Sequence, residues 1–319
     1  MKGLELSRNY YFDIAEPRLK EAFPDLFHRL AVGLAGNGSE CFGYDDALSQ
    51  DHDWGADFFI WVPESDGALV AQLAEWKRHL FEDHPPEHVR TRSEYGAHVG
   101  VMTVGDFYKS LIGYPEGPDD IPGWRRIPEE NLAMATNGAI FVDNHGAFTK
   151  IRAKLLQFYP EDLRRKKLAA RCMAIAQTGQ YNYRRCFLRE DWVTLQTVLA
   201  RFADNVIAAV FLLNKVYRPF YKWAYRKLTE LPVLGDTIAS LLKELSLSSG
   251  TGQIVFETNT RIIDAICRLL ITELQRQQLA FSDDEFMTTQ GEEIQRSIQD
   301  SFLRSLPASG WEGGCPAER

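Results

Sequence analysis

The chain has 319 residues, 45% of them hydrophobic and 25% charged, with a net charge of −8, the make-up of an ordinary globular protein with room for a large core or two domains. No apolar run reads as a bilayer span, the N-terminal stretch lacks the apolar core of a signal peptide, and five cysteines without a C-x-x-C pair read as free thiols of the cytoplasm rather than a disulfide framework. Residues 1–150 carry 13 basic and 25 acidic side chains, and residues 151–319 carry 23 and 19, so an acidic first half argues against an extensive nucleic-acid surface and suits a metal ion instead.

In chain order, Leu4, Tyr11, Ile14, Leu19 and Phe23 recur at helical spacing. "RLAVGLAG" reads as a buried strand ending in a glycine turn, and "DFFIWVP" as a second strand stopped by Pro63. "GALVAQLAEWKRHLF" is amphipathic and predicts a helix with Leu69, Leu73, Trp76 and Leu80 on one face. "AHVGVMTV" is a third strand, "GYPEGPDDIPGW" a loop, and "GAIFVD" a fourth strand at the sheet edge. Beyond Lys150, apolar residues recur every three or four positions. This predicts helices over about 151–158, 161–178, 190–218, 236–247 and 254–279, with breaks near Gly179, Pro219, Pro232 and "SSGTG". The expected class is α+β: a small mixed sheet with flanking helices over 1–150, an all-α helical bundle over 151–306, and a disordered tail over 307–319.

The chemistry concentrates in "GNGSECFGYDDALSQDHDWG" at 36–55. Gly38 lets the backbone turn sharply toward a bound group, and Ser39 offers a hydroxyl and an N–H where a helix is expected to start, a favourable place for phosphate. Asp51 and Asp53 stand at the entry to a strand, where residues i and i+2 share a face. Two carboxylates that close raise each other's pKa unless a cation lies between them, and Mg²⁺ suits such donors. The bland alternative is a pair of solvated loop acids. Asp45 and Asp46 read as solvated loop acids, His52 as structural, and Trp54 and Trp61 as core. The "DHPPEH" segment with His84 and His88 offers no closed zinc set.

The pattern formed by Gly38, Ser39, Gly43, Ser49, Asp51 and Asp53 resembles the nucleotidyltransferase superfamily related to DNA polymerase beta. It is most similar to the branch of minimal nucleotidyltransferases and aminoglycoside adenylyltransferases, with a slightly longer loop. The whole layout also looks like an uncharacterised bacterial family of nucleotidyltransferase-like proteins of unknown function. The resemblance implies a nucleotidyltransferase sheet. In it the Gly38-Ser39 turn contacts the phosphates of ATP or another nucleoside triphosphate, and Asp51 and Asp53 coordinate Mg²⁺ or Mn²⁺. It implies transfer of a nucleoside monophosphate to a hydroxyl-bearing acceptor, with pyrophosphate leaving. The family's third carboxylate has no clear counterpart. Glu94 and Asp106 flank the third strand, and His98 is the candidate replacement base, against the alternative of a hydrogen-bonded strand histidine.

In the helical half, "LNKVYRPFYKWAYRKL" interleaves basic and aromatic residues, with Lys215 and Lys222 seven apart and Pro219 expected to kink or restart the helix. By the same likeness, Lys222 with Tyr221 beside it is the candidate phosphate contact; the alternative is an amphipathic helix with solvated cations. "RRKK" at 164–167 reads as a wet face, and Arg184 and Arg185 could reach an anion. The competing function is a non-catalytic nucleotide-binding sensor or interaction protein on the same fold.

Overall fold

The computed structural model describes residues 1–50, 54–90, 99–248 and 250–310. The fold is α+β, with a small four-stranded mixed sheet, flanking helices and a long helical region after them. The chain divides into two units, Met1–Asp120 with Ile127–Gln157, and Ile121–Arg126 with Phe158–Arg319.

The sheet unit opens with α1 (Gly3–Tyr10), which runs through a π turn at Tyr11–Ala15 into α2 (Glu16–Ala22); Pro24 then starts α3 (Pro24–Phe27). The strands are β1 (Ala31–Leu34), β2 (Phe59–Val62), β3 (Val101–Thr103) and β4 (Ala139–Asp143), in the order β3-β2-β1-β4. β1 is antiparallel to β2 and β4, whereas β2 and β3 are parallel. A parallel pair needs a crossover, and α4 (Val70–Asp83) lies on it. β4 takes the edge position expected for "GAIFVD". α5 (Val104–Ile112) begins directly after β3, where Thr103 Oγ1 accepts from the Asp106 N–H at 3.0 Å. α6 (Ile121–Arg126) starts inside the expected "GYPEGPDDIPGW" loop, with Pro122 in its first turn, and belongs to the second unit. α7 (Glu129–Thr136) and α8 (Ala147–Leu156) complete the first unit.

β2 is buried at all four positions because side chains cover both faces of the sheet. Ile60 and Val62 pack with Tyr11, Leu19, Leu73 and Leu80 on one face. On the other, Trp61 lies 4.2 Å from the Phe148 ring and 5.2 Å from Phe107, between centroids. Trp54 and Trp61 are both buried, as the sequence suggested.

The helical unit contains α9 (Glu161–Ile175), α10 (Tyr183–Leu188), α11 (Trp192–Asn214), α12 (Tyr221–Leu228), α13 (Gly235–Leu247), α14 (Gln253–Arg276), α15 (Met287–Arg296) and α16 (Ser301–Ser305). α9 packs against α11, α15 and α16. The break expected near Gly179 does not occur: a π turn, Ala176–Asn182, carries α9 into α10. Glycine serves a different purpose there, since a Cβ on it would come within 2.5 Å of the Phe202 ring. α11 is long and apolar enough to cross a membrane, and half of its most apolar window is buried inside the protein. The break at Pro219 is real. α11 ends at Asn214, capped by Lys215 with φ +54°, and α12 starts at Tyr221. Lys215 and Lys222 therefore do not share a helix face.

The "RRKK" run is a second correction. Arg164, Lys166 and Lys167 are buried, because α9 has neighbours on several sides and the long side chains carry their charged ends to specific partners. Arg164 donates to Glu161 and to the Leu212 carbonyl near the C-terminus of α11. Lys166 donates to the Pro307 and Ala308 carbonyls, both at 2.9 Å, so the first residues of the predicted tail are anchored. Lys167 lies 5.0 Å from the Tyr159 ring centroid. Residues 311–319 lie outside the described residues.

Candidate active site

Strand directions collect the candidate segments at one end of the sheet. β1 leaves at Leu34 toward Gly36–Ser39, and Gly33 pairs with Phe59, the first residue of β2. Ile60 pairs with Val101, so β3 also begins at that end, and so does β4, where Ala139 faces Leu34. The chain thus enters β2 and β3 beside the Gly-Ser turn. Asp51, His52, Asp53, Glu94 and His98 belong to the stretches leading into those strands, and they lie outside the described residues. Asp106 follows the far end of β3, which removes it as a third acid at the turn.

The turn itself is clearly built. Gly36 and Gly38 have φ of +103° and +116°, a region that only glycine enters without strain. Asn137 clamps Gly36 from both sides. Its Oδ1 accepts from the Gly36 N–H and its Nδ2 donates to the Gly36 carbonyl, both at 2.8 Å. The Gly138 N–H donates to the Cys41 carbonyl at 2.8 Å, tying the start of β4 to the same loop. The helix expected after Ser39 is only one 3₁₀ turn, Glu40–Phe42, closed by Gly43 at φ +73°. Any phosphate contact at Ser39 therefore depends on local N–H groups and its hydroxyl, with no long helix dipole behind it. Gly38 and Ser39 are partly exposed.

Beneath the turn lies a charge pair that spacing alone did not reveal. Glu40 is buried, and its Oε1 is 2.6 Å from Arg90 Nη2. A Cβ on Gly38 would meet the Glu40 carboxylate at 2.8 Å, so this pair packs directly against the turn. Burial pushes the Glu40 carboxyl up, and Arg90 opposes that shift. Arg90 in turn abuts the start of the strand segment. The Ala56 N–H donates to the His88 carbonyl at 2.9 Å, and Ala56 bridges to Val89. One ion pair thus connects the Gly-Ser turn with the residues that follow Asp53.

Asp45, read as solvated, is buried. Its Oδ2 accepts from the Gly3 N–H at the start of α1, at 2.8 Å, and from the Trp54 indole at 3.1 Å; Lys2 lies 3.5 Å from Oδ1. Burial pushes its carboxyl up, but these hydrogen bonds and Lys2 outweigh burial and leave it below its ordinary value. Asp46 is exposed and caps the 3₁₀ turn Ala47–Ser49. Asp57 pairs with Lys77 at 2.6 Å. These three acids, Glu40, Asp45 and Asp57, are each committed to partners, and no group of three or more His, Cys, Asp or Glu among the described residues could hold a metal.

In the helical unit, Lys222 and Tyr221 are neighbours at the start of α12. Tyr221 is 74% exposed, and Lys222 Nζ lies 5.3 Å from the Trp223 ring centroid. Arg185 stacks over Tyr181 at 4.0 Å. Sequence reasoning missed Glu40, Arg90 and Asn137. Only Glu40, directly after Ser39, carried a local hint.

The family described as "Domain of unknown function (DUF4037)" matches residues 124–224. That span includes Asn137, Lys222 and Tyr221 but stops short of the Gly-Ser turn. No curated protein matches the chain, and no solved structure matches it.

Proposed function

We propose that this protein is a Mg²⁺-dependent nucleotidyltransferase of the cytoplasm. It moves a nucleoside monophosphate, AMP from ATP, to a hydroxyl of a small molecule, a protein or an RNA end, and releases pyrophosphate. The observation that supports the reading is topological. A turn built on two positive-φ glycines leaves β1 where the chain enters β2 and β3, the strands preceded by Asp51, Asp53 and His98. In this reading Gly38 and Ser39 receive phosphate oxygens. Asp51 and Asp53 hold the metal ion, which supplies charge stabilisation at the phosphates when bound. His98 takes the proton of the acceptor hydroxyl. The Glu40–Arg90 pair and Asn137 hold the turn in shape, so that its donors need no rearrangement when nucleotide arrives.

The test is Mg²⁺-dependent pyrophosphate release from labelled ATP with cell extract as the source of acceptor, followed by sizing of the labelled product. Asp51→Asn and Asp53→Asn are each expected to reduce turnover by about a hundredfold or more, with the fold unchanged by circular dichroism. His98→Gln is expected to remove the alkaline-favoured limb of the pH–rate profile while leaving nucleotide binding intact.

A second reading, a nucleotide-binding sensor without chemistry, has its own observation in its favour. Every described carboxylate named beside the turn is already committed to a partner. Mg²⁺-dependent ATP binding without turnover, across small-molecule, protein and RNA acceptors, selects this reading over the first.

A further inference from the structure

Four residues of α12 are exposed, Tyr221, Lys222, Tyr225 and Arg226, and all four are aromatic or basic. Its apolar positions, Ala224 and Leu228, are buried. Residues four apart on a helix are neighbours on one face, with about 5–6 Å between their Cβ atoms. Tyr221 and Tyr225 therefore form a row of rings, and Lys222 and Arg226 form a row of cations beside it. Phe220, 46% exposed, extends the aromatic row at the helix start, its ring centroid 4.4 Å from that of Tyr221. The Tyr225 ring is fixed from its far end, where the hydroxyl donates to the Ala239 carbonyl of α13 at 3.0 Å. The first carboxylate after the helix, Glu230, is paired with Lys227 at 2.9 Å. Exposed aromatic groups gathered in one place mark an interaction surface, and the cations select the chemistry of the partner. A partner that uses both rows offers flat apolar faces and negative charge at a short repeat. A single strand of nucleic acid offers both, in its bases and its phosphates, whereas a duplex hides its base faces. A lipid surface takes up a helix by a broad apolar face, and the apolar face of α12 is already covered by protein.

We propose that α12 with Phe220 is a platform for about two or three nucleotides of single-stranded nucleic acid. Bases stack on Phe220, Tyr221 and Tyr225, and phosphates lie along Lys222 and Arg226. The net charge of −8 repels a longer contact, so the platform stays short. The inference goes beyond nucleotidyl transfer and does not rest on it.

Fluorescence anisotropy with a short labelled oligo(A) strand, at low salt and in EDTA, tests it. The strand is expected to bind, and a duplex of the same length more weakly. Tyr221→Ala and Phe220→Ala are each expected to weaken the strand about fivefold or more. Lys222→Gln is expected to lower the slope of log affinity against log salt by about 0.7, the share of one phosphate contact on a single strand. Lys150→Gln removes the same charge from an exposed position on α8 and is expected to leave affinity and slope unchanged. Asp51→Asn with Asp53→Asn is also expected to leave binding unchanged, which separates a failure of this platform from a failure of the nucleotidyl-transfer reading. No binding at low salt overturns the proposal. So does binding that Tyr221→Ala and Phe220→Ala leave untouched, the outcome for charge attraction alone. Tighter binding of phosphatidylglycerol vesicles or of polyglutamate, lost in the same variants, overturns it in favour of a lipid surface or an acidic peptide.

Discussion

The two units bury positive charge in different ways. In the sheet unit, buried cations meet carboxylates: Arg90 with Glu40 at 2.6 Å, and Lys77 with Asp57 at 2.6 Å. In the helical unit, Lys166 meets two backbone carbonyls, and Arg164 divides its donors between Glu161 and the Leu212 carbonyl. A carboxylate partner can be protonated and a carbonyl cannot. The first arrangement therefore responds to pH and sits where the candidate chemistry lies, while the carbonyl contacts of the second, Lys166 to Pro307 and Ala308 and Arg164 to Leu212, have no titrating acceptor. Removing one cation from each unit separates the two cases.

Arg90→Met has the largest expected effect. Breaking a buried ion pair from one side costs about 3–5 kcal/mol, because it leaves an uncompensated buried charge. The cost has a pH signature. Burial raises the Glu40 carboxyl in the folded state, and Arg90 holds that rise in check. A carboxyl raised by folding binds its proton more tightly in the native protein. Its stabilising contribution is present below the ordinary carboxyl range and is lost as pH climbs through the raised value. Without Arg90 the raised value moves higher still, so Arg90→Met should cost more at about pH 8 than at about pH 5. Denaturant unfolding at the two pH values checks this, and equal losses would sink it. Replacing both partners, Glu40→Leu with Arg90→Met, should recover most of the stability while loosening the Gly-Ser turn.

Lys166→Met is the counterpart in the helical unit. It leaves the Pro307 and Ala308 carbonyls without this donor, at a cost of about 1–3 kcal/mol that does not change between the two pH values. Faster hydrogen exchange over Leu303–Ala308 and earlier proteolytic loss of the C-terminal segment are the readouts. A pH-dependent loss here would erase the contrast between the units. Asn137→Ala is smaller, about 1–2 kcal/mol for two neutral hydrogen bonds, with the loss of protection confined to Gly36 and its neighbours.

What the sequence made legible was local. The apolar run Phe59–Val62, the amphipathic Val70–Asp83 and the edge strand Ala139–Asp143 were all readable, because burial on one face or both imposes a period on consecutive residues. The restart before Tyr221 was readable because Pro219 acts on its immediate neighbours. The misreadings came from long-range contacts. Gly179 suggested a break, but its meaning is the closeness of Phe202, 23 positions on. The "RRKK" run suggested a wet face, yet its partners lie at Leu212 and Pro307. Asp45 looked like one more loop acid until Gly3 and Trp54 closed around it. Glu40 and Arg90 are 50 residues apart, a spacing that carries no signal. The Gly38-Ser39 turn was visible because its glycines are needed for their own backbone angles; the pair that supports it was not.

The smallest expected effect on stability falls on Tyr221, and this makes it the cleanest functional test. Its ring is 74% exposed and lies 4.4 Å from that of Phe220, between centroids. Tyr221→Ala should therefore change unfolding stability by no more than about 0.5 kcal/mol. If the ring receives a nucleotide base, the same change should remove about 1–3 kcal/mol of nucleotide affinity, the usual worth of a base stacked on an aromatic side chain. Because the fold barely registers the loss, a drop in ATP affinity cannot be charged to unfolding. Lys222→Gln should weaken ATP more than adenosine, since it removes charge rather than a stacking surface. If both variants bind ATP as the parent does, α12 has no part in nucleotide recognition, and its exposed aromatic and basic side chains must be explained without it.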